Sequence, residues 1–333
     1  MKAALLTRLP SPSLEIQTVP LPDIPPDGIE VTVEACGVCG TDLHILNGAS
    51  YRPVLPFVMG HEPVGVVSKG PRELMGRRVV PSIFVGCGRC DPCRAGDERL
   101  CAQGPLVTGV LGPWGGFAEK MWLYPSQPVV VPEGLSPWVA AALVDAGATA
   151  HNAATLALHR QPRRVVVLGG GPVGFLTASI LRSQGSEVVV VEPNILRRDL
   201  LISRGYDTLI RLDQADPTPS SVVVDCSGVP EAFLAALNWL PTHGCCLIVG
   251  YSEVPRVDFA IVSRKELIFK GVRSGRRDDL IAVLELAQRR AIDVPPVTTW
   301  PLEHINDALS ALQSGQVAGK AVITVNNAIR HEC

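Results

Sequence analysis

The sequence predicts an α/β chain in which a β-rich first domain precedes a doubly wound parallel sheet. Two observations carry this. A length of 333 residues matches about two domains. Up to about residue 145, short apolar runs are broken by Pro and Gly; beyond it, strand-like and helix-like runs alternate. Hydrophobic residues at 47% and charged residues at 19% suit a buried core and exclude a disordered chain or a coiled coil.

The first part offers strands at Lys2–Leu6, Ile29–Ala35, Val64–Lys69 and Arg77–Pro81. The alternating part then reads as strand Val165–Leu168, helix Val173–Gln184, strand Val188–Val191, helix Ile195–Arg204 and strand Val222–Cys226. It continues with helix Glu231–Leu240, strands Cys245–Val249 and Leu267–Val272, and helix Asp278–Arg290, which sets Leu280, Leu284 and Ala287 on one face. A last helix, His304–Gln313, and strand, Ala321–Val325, do not continue the alternation and are expected to return to the first domain.

Charge excludes one class of partner. Thirty basic against 32 acidic residues give a net charge of −2, which offers no electrostatic basis for binding nucleic acid. The uncharged run Val165–Leu181 is short of the roughly 20 residues of a membrane span and is interrupted by Gly169–Pro172. Met1–Pro10 does not read as a secretory signal, so a cytoplasmic location is expected, with no membrane partner.

The glycine turn Gly169-Gly170-Gly171-Pro172-Val173-Gly174 is G-x-G-x-x-G, directly after a Val-rich strand and at the start of a helix. In that context it is a dinucleotide signature. Gly169 allows the tight turn, Gly171 lets the backbone approach a pyrophosphate, and Gly174 allows close packing of helix on strand. The N–H groups and dipole of the helix start suit phosphate. Glu192 ends the next strand, where a carboxylate accepts from ribose hydroxyls and repels a 2′-phosphate, favouring NAD over NADP. Arg197 and Arg198 follow closely and keep NADP possible.

Cysteines cluster rather than spread. Cys87, Cys90, Cys93 and Cys101 give C-x2-C-x2-C-x7-C, the closed four-thiolate set of a structural zinc, in a lobe (86–102) with little apolar content of its own. The run Cys36-Gly37-Val38-Cys39-Gly40-Thr41-Asp42-Leu43-His44 and the triplet Gly60-His61-Glu62 offer a thiolate and an imidazole for a second, open site. Asp145 is the candidate third ligand; on spacing alone it is by default a helix cap or turn residue.

These motifs, in this order and across essentially the whole chain, resemble the zinc-dependent medium-chain alcohol dehydrogenases. The resemblance implies a GroES-like catalytic domain (1–145), a Rossmann NAD-binding domain (146–274) and a return segment (275–333). It implies that Cys39, His61 and Asp145 hold a catalytic zinc. Many members carry Cys at the third position; some carry Asp, and whether Asp145 or Glu62 completes the shell stays open. Cys36 would lie in the strand core, Asp42 would fix the His61 tautomer, and Glu62 would sit beside the metal. Thr41 would take the alcohol proton and pass it through the cofactor ribose to His44. Ile83 and Trp114 are candidates to line the pocket. The implied reaction is reversible hydride transfer between an alcohol and NAD. A polyol or amino-alcohol substrate is the main alternative; a zinc-free reductase of this fold and a non-catalytic nucleotide sensor are further ones. Relatives pair the outer strand of the nucleotide domain, here Leu267–Val272, so a homodimer or homotetramer is expected.

Overall fold

The computed structural model describes residues 1–49, 51–214, 220–250 and 257–326. The chain forms two compact units. Met1–Asp145, Arg276–Gln288 and the chain from Pro296 on make the first; Ala146–Gly275 and Arg289–Pro295 make the second. The return segment thus starts at Arg276, and 289–295 belong with the second unit. Its final residues, 327–333, lie outside the described ones.

The main sheet of the first unit runs Pro128–Val130, Arg78–Pro81, Glu62–Lys69, Ile29–Val38, Lys320–Thr324 and Val297–Pro301. Ile29–Val38 is long enough to serve two partners on one side. Its first half pairs with Lys120–Leu123 and its second half with Lys320–Thr324. Register shifts near Glu30 and Val33 interrupt its ladder with Glu62–Lys69, as expected where bulges bend a strand. Ile29, Val31 and Val33 alternate into a core with Val67, Val79, Met121 and Leu123. Each side chain so buried is worth about 1.5–3 kcal/mol. The register sets Gly37 opposite Glu62 on one side and Val322 on the other.

The second unit holds six parallel strands in the order Asp207–Leu209, Glu187–Val191, Arg164–Leu168, Val222–Asp225, Cys245–Ile248 and Ile268–Gly271. Its valine runs are buried, as a sheet covered on both faces requires. Strand order reverses between Arg164–Leu168 and Val222–Asp225, the crevice position where such sheets bind ligands. The glycine turn leaves the first of these two strands and leads into helix Pro172–Ser183.

Several elements carry no clear sequence signal. Strand Glu15–Thr18 is exposed throughout, so it shows no apolar alternation. Helices Pro137–Leu143 and Asp145–Leu158 are Ala-rich; the first is capped by Ser136, whose hydroxyl accepts from the Val139 N–H at 3.2 Å. Asp207–Leu209, Phe259–Lys265 and Val297–Pro301 are short or largely exposed. No helix among the described residues is long and apolar enough to cross a membrane.

Candidate functional site

Strand Ile29–Val38 ends one residue before helix Gly40–Leu46, and Cys39 fills the junction with extended backbone. Asp42, fully buried in the first helical turn, accepts the Cys39 N–H at 2.9 Å through Oδ2. This fixes its other oxygen, Oδ1, 3.5 Å from His61 Nδ1. His61 follows Gly60, whose φ of +97° suits glycine. A Cβ at Gly60 would meet the Phe117 ring at 2.7 Å and Cys36 Sγ at 2.9 Å, so the turn that delivers His61 requires glycine.

On its other edge, His61 Nε2 lies 3.6 Å from Asp145 Oδ2, at the start of helix Asp145–Leu158. Donor atoms of Cys39, His61, Glu62 and Asp145 all lie within 4.8 Å of one another. His61 is 1% exposed, yet among the described residues neither ring nitrogen has a hydrogen-bond partner. Burial presses its pKa down, but the carboxylates of Asp42 and Asp145 outweigh burial and raise it well above the usual histidine value. Sulfur, nitrogen and carboxylate donors converging on a buried imidazole call for a cation, and their chemistry fits zinc.

Thr41 Oγ1 lies 3.9 Å from Cys39 Sγ, and His44 stands one helical turn further along, both half-buried. Cys36 is buried in the strand core, Ile83 is buried and Trp114 half-buried. A residue without a sequence signal completes the cluster. Lys320, 1% exposed, forms an ion pair with Glu62.

The four-cysteine lobe is a second donor set, with all four sulfurs within 4.8 Å. The Cys87 N–H points at Cys101 Sγ (3.4 Å) and the Ala102 N–H at Cys90 Sγ (3.5 Å), an arrangement that favours thiolates. The backbone N–H groups of Arg89 and Cys90 lower the Cys87 thiol to about 6, whereas burial pushes Cys93 up to about 12. A Cβ at Gly86 would stand 2.4 Å from Cys93 Sγ. The lobe also has a polar core. Asp97 takes Arg99 Nε at 2.7 Å on one oxygen and Arg276 Nε at 3.0 Å on the other, and both lobe residues are buried.

In the second unit, Gly169 has φ +89° and a Cβ there would press on the Ser227 backbone. A Cβ at Gly174 would lie 1.8 Å from the Gly169 carbonyl oxygen. Gly171 differs: among the described residues only Arg197 Nη1, at 3.9 Å, approaches its missing side chain, which leaves room for a ligand. Pro172 and Val173 begin the helix. Glu192 is buried. Its Oε2 accepts the Gly170 N–H and its Oε1 the Asn194 N–H, each at 2.7 Å, which leaves one lone pair per oxygen. Arg197 Nη1 is 4.0 Å from Glu192 Oε2, and Arg198 donates to the Pro193 carbonyl at 3.2 Å. The residues of the glycine turn therefore fit a dinucleotide pyrophosphate.

Comparison with known proteins yields consistent relatives. Residues 25–133 match the alcohol dehydrogenase GroES-like domain, and residues 196–323 match the zinc-binding dehydrogenase family. An alcohol dehydrogenase of Geobacillus stearothermophilus is 30% identical over 98% of this chain and 100% of its own. An L-threonine 3-dehydrogenase of Sinorhizobium fredii is 29% identical over 97% and 98%. Among solved structures, acetophenone reductase from Geotrichum candidum in complex with NAD superposes with a TM-score of 0.89 at 26% identity, covering 98% of each chain.

Proposed function

Because the chain belongs to the zinc-dependent medium-chain alcohol dehydrogenase family, we propose that it oxidises an alcohol to an aldehyde or ketone with NAD, reversibly. The observation that carries this reading is the cluster of half-buried Cys39 and Asp145 with buried His61 and Glu62. Cys39, His61 and Asp145 hold the catalytic zinc; one thiolate and one carboxylate balance its two charges. Cys87, Cys90, Cys93 and Cys101 hold the structural zinc. When bound, zinc supplies Lewis acidity that eases loss of the substrate hydroxyl proton, and NAD accepts the hydride.

The chain's own residues orient and move protons. Asp42 directs the His61 ring by facing its Nδ1. Thr41 Oγ1 takes the hydroxyl proton, and His44 passes it on. Gly169, Gly171 and Gly174 shape the pyrophosphate turn, with Pro172 and Val173 opening its helix. Glu192 accepts the adenosine ribose hydroxyls on its remaining lone pairs, with Arg197 alongside. The partner is a small alcohol or carbonyl compound, and the working form is an oligomer in the cytoplasm.

A second reading keeps the chemistry and changes the substrate to a polyol or amino alcohol, favoured by the L-threonine 3-dehydrogenase relatives. Steady-state kinetics on simple alcohols, polyols and L-threonine, each with NAD and NADP, test both readings. Turnover confined to L-threonine or polyols selects the second. Absence of turnover with every substrate overturns the function.

A further inference from the structure

Glu62 has a donor oxygen inside the Cys39–His61–Asp145 cluster, yet the same side chain is paired with Lys320. The sheet explains how they meet. Glu62 lies opposite Gly37 on one side of the central strand, and Val322, two residues beyond Lys320, lies opposite Gly37 on the other. The Glu62 side chain packs over Gly37: a Cβ there would stand 2.3 Å from Glu62 Oε2 and 3.0 Å from its Cβ. Glycine at 37 thus opens the gap across which Glu62 reaches the lysine.

Lys320 is equally constrained. Its N–H donates to the Pro296 carbonyl at 2.9 Å, and a Cβ at Gly319 would lie 2.0 Å from that oxygen. Both side chains are buried, 2% and 0% exposed, so each charge depends on its partner. With Glu62 neutralised by Lys320, Cys39 and Asp145 are left to balance a divalent ion.

We propose that Lys320 is a positioning residue that holds Glu62 off the metal, leaving three protein ligands and one position for substrate. This rests on the reading of Cys39, His61 and Asp145 as the catalytic zinc site. Without the lysine charge, Glu62 swings onto the ion, adding an anionic ligand and closing the open position.

Cobalt(II) protein tests this through its d–d absorption, taken as a difference against His61→Ala, which retains only the four-cysteine ion. Glu62→Gln should leave the difference spectrum unchanged, because Glu62 is not a ligand. Lys320→Met should shift the bands, as expected when a carboxylate takes the fourth position, and Lys320→Arg should preserve them. Lys320→Met/Glu62→Gln should return them to wild type. In parallel, loss of zinc to excess chelator should slow about tenfold in Lys320→Met, within the effect of outer-sphere partners; simple loosening of the fold would speed it. Should Lys320→Met not fold, Lys320→Gln, which keeps a donor but no charge, is read in the same way.

A changed spectrum in Glu62→Gln, an unchanged one in the lysine variants, or no restoration in the double variant overturns the role of Lys320. If His61→Ala binds as much cobalt as wild type, the metal reading itself falls and takes this role with it.

Discussion

Thr41 and His44 stand one helical turn apart beside Cys39, so the proposed relay can be tested one side chain at a time. Thr41→Val removes the hydroxyl with little change of shape and should lower kcat/KM by about 10²-fold or more, the usual worth of a positioned acid–base group. His44→Ala should cost less and recover partly with added imidazole. Near wild-type turnover by a zinc-loaded Thr41→Val enzyme would remove Thr41 from the relay. Glu192 supports a second prediction. Its Oε2 accepts the Gly170 N–H, so Glu192→Ala both removes the charge proposed to repel a 2′-phosphate and strands a buried donor. The NAD/NADP ratio of kcat/KM should fall, and stability should drop by about 1–3 kcal/mol in denaturant titration. An unchanged ratio would separate Glu192 from cofactor choice. Residues of the site were legible in the sequence to different degrees. Cys39 and His61 announce themselves because each sits in a short glycine-flanked run, Cys39-Gly40 and Gly60-His61. Lys320 does not, because its meaning depends on two strands flanking Gly37 from opposite sides, a pairing that no local pattern encodes.

At the scale of elements, the four-cysteine lobe brings together a set of four sulfurs and a charge cluster around buried Asp97, and the two can be separated. Cys93→Ser should lose one zinc and lower Tm, read by elemental analysis and calorimetry, because the short segments Asp91–Arg94 and Glu98–Leu100 cannot bury much apolar surface. Asp97 adds a pH dependence. Burial pushes its carboxyl up, but Arg99 and then Arg276 outweigh burial and hold it below the usual value. A folded-state pKa below the unfolded one stabilises the fold above about pH 4 and is lost as pH falls through the folded value. The Tm gap between wild type and Asp97→Asn should therefore narrow as pH drops below about 4; a gap constant with pH would show that Asp97 acts through packing alone. The sequence could show the cysteine spacing but not this polar core, since Arg276 comes from the far end of the chain. The valine strands were legible for a related reason. A strand buried on both faces needs a continuous apolar run, whereas Glu15–Thr18 is exposed at every residue and needs none.

For the whole molecule, the parallel sheet ends in an edge with a consequence for assembly. Ile268–Gly271 is the outermost strand, and among the described residues it pairs on one side only. Its inner side is fixed: the Ile268 N–H donates to the Gly244 carbonyl at 2.9 Å and the Val272 N–H to Ile248 at 2.8 Å. By the alternation of a ladder, the N–H groups of Phe269 and Gly271 face outward. Ile268 is 42% exposed, and a row of unpaired donors and acceptors beside it is a template for another strand. In a closed two-fold assembly, that strand is the same one in a second copy, and the two sheets become one. Gly271→Pro tests this with little disturbance inside the unit. No heavy atom of the described residues lies within 4 Å of a Cβ at that position, and proline is tolerated on edge strands. It deletes one outward donor while the inward bonds remain. Light scattering should show wild type as a dimer or tetramer, and Gly271→Pro should halve the mass or weaken the assembly on dilution while circular dichroism stays unchanged. If the variant keeps the wild-type mass at every concentration, the copies join through another surface.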